Sequence, residues 1–558
     1  MIIALPFPWW SRRFAMRGET LALWISLWFT FACNPLLWSS LLQITADSPR
    51  QLPLLAAMLV LVTALHFALL ALLLNRWSAR PVLSALLPIT ALAAYFMQHY
   101  HIYLDLEMLR NVLHTDPAEA GELLHWQMLP AVFLIAGPPL WLVWRTDLIG
   151  SRWIPALLYR AGSIVAALFI GGGAAYAVFQ DFSSLMRQHK EVRYLITPSN
   201  YLYALARVGG SEARTANLSP EPIGTDAIPA ASWSTRKKPV MLTLVLGETT
   251  RAANWQLSGY ARETNPELRR ETLVNFSHVT ACGTSTEVSL PCMFSPGGRH
   301  AYDEDRIRRS ESLLHLLRRA GFKVVWLDNQ SGCKGVCRDL EIWRPAPGSP
   351  GCNDRECYDE ALLHGLRRLS EQEQGNVVYV LHQIGNHGPA YHRRYPPAFR
   401  HFTPACESSN LGACSGEEIR NAYDNAVRYT DHVVASVIGY LKTQHHHDAA
   451  MLYLSDHGES LGEHGLYLHG APYAMAPDVQ TQVPMALWLS PAYASSFALN
   501  AGCLATKSPL PLSHDHLFHS VLGMLDVQTR LYQPAYDFTR SCRGTRVLAR
   551  QKPTSAKS

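Results

Sequence analysis

Three short stretches hold the residue types that could do chemistry together: VLGETTR (245–251), CGTSTEVSLPC (282–292) and LSDHGES (454–460). A threonine hydroxyl is a weak nucleophile at neutral pH and needs a base or a metal ion to activate it. Glu248, Asp456 and His457 make a mixed oxygen and nitrogen ligand set, and Oγ of Thr286 could complete a tetrahedron around Zn2+. Such an ion stabilises an alkoxide and then polarises the electrophile. A phosphorus or sulfur centre with several anionic oxygens suits this site better than an amide does. Each stretch also has an ordinary reading: Thr286 as turn chemistry, Asp456-His457-Gly458 as a cap and turn, and Glu248 as a helix cap acting through Thr249 and Thr250.

The elements that must position these residues are apolar runs at 240–247, 323–327, 376–381, 450–454 and 484–489, with helical patterns such as 306–320 and 419–443 between them. That alternation predicts an α/β domain around a parallel sheet. Ligands collect beyond the carboxyl ends of such strands. Glu248, Asp328, His382 with His387, and Asp456 with His457 all follow strand runs. His469, in GLYLHG, lies just downstream and could serve a leaving group, an acceptor or a second metal. His445, His446 and His447 read as a solvated loop after a helix, with adventitious metal binding as the alternative, and His514, His516 and His519 carry no spacing that selects metal over surface.

Apolar segments at 20–42, 54–75, 81–97, 128–144 and 157–179 each approach the ~20 residues of a membrane span. Arg12, Arg13 and Arg17 precede the first, Arg76 and Arg80 separate the second and third, and Arg145 and Arg152 separate the fourth and fifth. The positive-inside rule makes those loops cytoplasmic. Five spans then carry everything after about residue 180 to the outside, the periplasm of a Gram-negative cell. Four close cysteine pairs on that side, 282/292, 333/337, 352/357 and 406/414, read as disulfides rather than zinc ligands, leaving Cys503, Cys542 and the isolated Cys33. A net charge of +5 without a long basic run excludes a nucleic-acid footprint.

The predicted organisation is a membrane domain over 1–180, a bridging helix and Ser/Pro/Thr-rich linker over 181–238, a catalytic domain over 239–546 and a disordered tail over 547–558. Between the third and fourth spans, residues 101–120 have helical spacing that places Asn111, Thr115 and Glu119 four apart on one face. Spacing alone reads this as the solvated face of an interfacial helix.

Taken with NVLHTDPAEA, LVLGETTRAANWQLSGY, TACGTSTEVSLPCMFS, DNQSGCKGVC, QIGNHGPAY, YDNAVRYTD and LSDHGESLGEHGLYLHG, the chain resembles the lipid A phosphoethanolamine transferases over nearly its whole length. This membrane-enzyme family includes the mobile colistin-resistance enzymes. The resemblance implies an alkaline-phosphatase/sulfatase-like periplasmic domain behind an all-α membrane domain of five transmembrane helices. It implies at least one zinc on Glu248, Thr286, Asp456 and His457, with Thr286 becoming phosphoethanolaminylated. It assigns His387 and His469 to substrate handling or a further zinc, and it turns Asn111, Thr115 and Glu119, with Ser331 and Lys334, into donor-binding positions.

The expected reaction moves phosphoethanolamine from phosphatidylethanolamine to a lipid A phosphate through a phosphothreonine, lowering envelope negative charge and conferring polymyxin resistance. The expected enzyme is a monomer in the inner membrane. The alternatives are a related transferase acting on another lipopolysaccharide sugar or envelope glycan, a metal-dependent hydrolase or sulfatase, and a membrane-anchored binding protein with a structural metal.

Overall fold

The structure, a computed structural model, describes residues 13–115, 117–150, 152–215, 219–353 and 356–544; the side chains of Ala118, Glu119 and 211–215 are outside that description, as is the 547–558 tail. The described chain falls into two compact units. One runs to Leu113 and from Leu124 to Glu212, with His464–Leu466; the other holds His114–Leu123, Ala213–Glu463 and the remainder from Tyr467.

Four helices of the first unit are long and apolar enough to cross a membrane: Gln51–Leu73, Ala79–Tyr100, Met128–Arg145 and Trp153–Ala177. Side chains such as Phe133 and Phe169 are exposed on them, as lipid-facing residues are. The first expected span is not one helix but a pair, Gly18–Ala32 and Pro35–Ile44, bent by 57°. Pro35 opens the second member, because its ring tolerates a first turn and disfavours helical backbone in Asn34 before it. Asn34 ties the break together: its Nδ2 donates to the carbonyls of Phe29 (2.8 Å) and Thr197 (2.7 Å), and its Oδ1 accepts from the Thr197 amide (2.8 Å). The arginine-bearing loops share one end of this unit. Phe14–Met16 pairs in parallel with Thr146–Leu148, and Arg13 and Arg80 donate to Asp147 at 2.9 and 3.3 Å.

The helix expected over 101–120 is broken. Leu106–His114 ends and Pro117 begins a second helix, Pro117–Leu123. Proline suits a helix's first position and opposes helical backbone just before it. The four-residue spacing of Asn111, Thr115 and Glu119 therefore runs across a break rather than along one face.

The second unit is built on an eight-stranded sheet. Its strands are β1 (Val240–Gly247), β2 (Val274–Thr280), β3 (Lys323–Asp328), β4 (Glu341–Trp343), β5 (Val377–His382), β6 (Asp448–Ser455), β7 (Gln482–Leu489) and β8 (Leu512–Ser513). Their spatial order is β8-β2-β7-β6-β1-β5-β3-β4. The sheet is mixed, not wholly parallel, because β7 runs antiparallel to both β2 and β6. Every residue of β1 and β6 is buried, which explains their unbroken apolar runs: both faces are covered by packed elements. Gly416–Leu441 is among the helices that pack on the strands, and a reciprocal Ser415–Glu418 capping box starts it. Five disulfides form. The four close pairs are as expected, and Cys503 joins Cys542 across 39 residues.

Asn34→Ala would remove the three hydrogen bonds that cross the break, each worth about 0.5–1.5 kcal/mol. The full-length variant in detergent is expected to melt several degrees below the wild type. An unchanged melting temperature would show that the break does not need this tie.

Candidate active site and metal centre

Strand register sets the site. Gly247 at the end of β1 pairs with Ser455 at the end of β6, and Leu246 pairs with His382 at the end of β5. The next residues, Glu248 and Asp456, therefore leave the sheet side by side at its carboxyl edge. The Asp456 amide donates to the Gly247 carbonyl (2.9 Å), and the Asn386 amide to that of Glu248 (3.0 Å). Gly385 turns this return at φ +53°, and a Cβ there would sit 2.6 Å from the Glu248 carbonyl oxygen, so the position requires glycine.

Thr286 opens the helix Thr286–Met293, and the loop before it is pinned at several points. The Cys282 amide donates to Nδ1 of His514 (3.1 Å), the Thr284 hydroxyl donates to the Ala471 carbonyl (2.6 Å), and the Gly470 amide donates to the Thr284 carbonyl (2.7 Å). The Cys282–Cys292 disulfide closes the loop onto the helix, and Ser289 Oγ donates to the Asp456 carbonyl at 2.5 Å.

The result is a buried cluster. Thr286 Oγ1 donates to Glu248 Oε2 at 2.8 Å and lies 3.4 Å from His457 Nε2. Nδ1 of His457 donates to the Gly458 carbonyl (2.9 Å), which leaves Nε2 facing Glu248 Oε1 at 3.3 Å and Asp456 Oδ2 at 3.5 Å. One ligand atom each from Glu248, Asp456 and His457 fall within 4.8 Å of one another. Glu248 Oε1 and Asp456 Oδ2 are buried and accept no hydrogen bond.

These protein groups alone are short of positive charge. Burial and then the Glu248 charge push the Asp456 carboxyl up, whereas Glu248, despite its burial, is held low by its close contact with the charged His457 ring. Burial opposes the His457 imidazolium, but the neighbouring charge of Asp456 and contact with Glu248 push it up to about 10. The cluster thus holds a proton among its ligand atoms or a cation in that proton's place. Two unpartnered carboxylate oxygens, an oriented imidazole and a hydroxyl fit a zinc ion in type and number.

Residues 241–527 match the sulfatase family model, and 62–213 match the phosphoethanolamine transferase EptA/EptB model. Phosphoethanolamine transferase EptA of Escherichia coli K12 is 40% identical over 84% of this chain and 86% of its own length. The chain belongs to the phosphoethanolamine transferase family. Phosphatidylethanolamine transferase Mcr-1 of Escherichia coli is 36% identical, covering 85% of this chain and 87% of that one. The solved integral membrane lipooligosaccharide phosphoethanolamine transferase A of Neisseria meningitidis superposes with a TM-score of 0.89 at 33% identity, covering 95% of this chain and 99% of that one. The protein is accordingly a transferase of the inner membrane with its alkaline-phosphatase-like catalytic domain in the periplasm.

Of the other expected site residues, His469 lies beside the cluster and His387 beside His469. The His469 ring centroid is 4.6 Å from that of His457 and 5.2 Å from that of His387. Ser331 accepts from Lys334 Nζ at 2.9 Å, and that ammonium lies 4.0 Å from Glu287 Oε2, one residue beyond Thr286. Asn111 and Thr115 are half-buried; the Glu119 side chain lies outside the described residues.

Several neighbours of the cluster are not among the site residues expected from the sequence. Gln330 donates to Glu248 Oε2 at 3.0 Å, the oxygen that also receives the Thr286 hydroxyl. Glu459 Oε2 accepts from Nδ1 of His469 at 2.7 Å, while its Oε1 accepts from Tyr391. Glu287 Oε1 binds Arg308 Nη1 at 2.9 Å and His114 Nδ1 at 3.0 Å. His514, fully buried, joins the Cys282 amide to the Ser455 carbonyl (3.0 Å), and so the Thr286 loop to the Asp456 strand end. The Asp-His-Gly-Glu run offered Glu459 by adjacency; the other three lie remote in sequence from what they hold.

Burial pushes His514 down to about 4 from an ordinary 6.5. The unfolded chain takes up a proton that the folded chain refuses, so this stabilisation is complete above about pH 6.5 and is lost as pH falls toward 4. His514→Ala is expected to cost about 2–4 kcal/mol at pH 7.5 through two lost hydrogen bonds and a cavity. The melting deficit against wild type should shrink on acidification to pH ~5; a growing deficit would contradict a neutral His514.

Proposed function

We propose that the chain transfers phosphoethanolamine from phosphatidylethanolamine to a phosphate of lipid A through a covalent phosphothreonine on Thr286. The observation that carries this reading is the Thr286 hydroxyl 2.8 Å from Glu248 in a buried cluster with two unpartnered carboxylate oxygens. Glu248, Thr286, Asp456 and His457 would hold Zn2+, which when bound supplies Lewis-acid stabilisation of charge on oxygen.

In the first step Thr286 Oγ1 forms a bond to the donor phosphorus and the bond to the diacylglycerol oxygen breaks. The hydroxyl proton leaving Thr286 is balanced by the one diacylglycerol gains. In this reading His469, whose Nδ1 contacts Glu459, passes that proton, with His387 beside it. The amino terminus of Thr286–Met293 favours the phosphoryl charge. Ser331 and Lys334, in contact with each other near Glu287, bind the donor headgroup together with Asn111, Thr115 and Glu119. In the second step a lipid A phosphate oxygen attacks the same phosphorus, and the proton it releases restores the threonine hydroxyl. The product carries an added ammonium, so cationic peptides such as polymyxins are drawn less strongly to the envelope.

Mass spectrometry of lipid A from cells expressing the wild type is expected to show phosphoethanolamine addition, absent with Thr286→Ala. Equal addition by both would rule out the covalent step. Chelation should lower the melting temperature of the wild type, with recovery on adding zinc, and Asp456→Asn should blunt that response. A wild-type melt insensitive to chelator would argue against the ion.

A further inference from the structure

The second unit contains a cleft of about 600 Å3, inside the range of roughly 300–1,000 Å3 typical of small-ligand sites. Its inner wall reaches the cluster at two places, Gln330 and His387. Gln330 donates to the Glu248 oxygen that receives the Thr286 hydroxyl, and the His387 ring stacks edge-on against His469. An occupant of the cleft therefore has a short path to the reacting atoms. Among the described residues, none of the donor-binding positions that the resemblance assigns lines it, while His387, assigned to substrate handling or a further zinc, does.

The walls are polar and carry three guanidinium groups. Arg394 is buried and fixed, donating from Nε to the His387 carbonyl at 2.7 Å and from Nη2 to Glu122. Arg393 is held by Glu122 (3.2 Å) and Glu356 (3.0 Å). Arg344 differs: Asp328, itself fully buried, holds it through Nε and Nη2 at 3.1 Å each, yet its side chain is 59% exposed. Asn329 and Asn353 add amide groups to the lining. A guanidinium clamped on one edge and open on another suits bidentate capture of a phosphate, and carboxylates with amides suit sugar hydroxyls.

We infer that this cleft is the acceptor subsite, which takes a phosphorylated sugar and anchors it through Arg344. The inference rests on the two-step transfer proposed above. When the sugar phosphate attacks, its oxygen bonds to the adduct phosphorus, the bond from phosphorus to Thr286 Oγ1 breaks, and the acceptor's proton ends on Oγ1. Arg344 takes no part in bond making; it sets where the acceptor lies.

The test separates the two half-reactions in full-length enzyme in detergent. Donor cleavage is read as diacylglycerol released from a fluorescent phosphatidylethanolamine without acceptor, and transfer is read on purified lipid A. For Arg344→Ala and Arg344→Glu, transfer should fall about tenfold or more with a raised acceptor KM, while donor cleavage stays within about twofold of wild type. Arg344→Lys should recover part of the transfer. Unchanged transfer overturns the subsite; donor cleavage falling in parallel with transfer overturns it as well and assigns the cleft to the phosphodiester donor instead. Failure of the underlying reading shows in the wild type, which would then modify no lipid A, whereas failure of the subsite shows only in the variants.

Discussion

The constraint on which the rest of the site depends is two carboxylates held in a dry place beside one imidazole. Glu248 and Asp456 are both inaccessible, each has an oxygen without a hydrogen bond, and a single His457 nitrogen faces both. Such an arrangement is costly without a compensating positive charge. The fold bears that cost because Glu248 and Asp456 extend the hydrogen-bonded ends of two paired, fully buried strands. Their positions follow from sheet register, which cannot relax without shifting the core.

Thr286 reaches the cluster by a different means. Its loop has no strand register to define it, and instead borrows definition from far-off groups: His514, Ala471, Gly470 and the Asp456 carbonyl. The nucleophile is thus located by hydrogen bonds and a disulfide, the carboxylates by the sheet. The two are joined most directly by His514 and Ser289, which each touch the Thr286 segment and the end of β6.

What was legible in the sequence follows this division. Glu248, Asp456 and His457 could be read because apolar strand runs end just before them. The direction of β7 could not, since an apolar run has no polarity in sequence and only its antiparallel pairing reveals it. The three short or half-exposed strands β2, β4 and β8 lacked the unbroken apolar signature of a doubly covered strand. Pro117 and Pro35 break the chain locally inside helical and apolar patterns that run on across them, so the longer patterns mask the breaks. Cys503 and Cys542 escaped a pairing rule based on proximity because 39 residues separate them. Gln330 and His514 were invisible for a related reason: each acts through one tertiary hydrogen-bond partner far away in sequence.

Residues His114–Leu123 are encoded between membrane helices yet fold with the catalytic unit. His114 meets Glu287, the neighbour of the nucleophile, and Glu122 meets Arg394, which holds the His387 carbonyl. The catalytic body is therefore discontinuous along the gene. A fragment cut downstream of Glu212 keeps the nucleophile, the ligand cluster and all five disulfides, but leaves Glu287 and Arg394 without these two partners. Anchorage and a complete catalytic surface cannot be parted by a single cut.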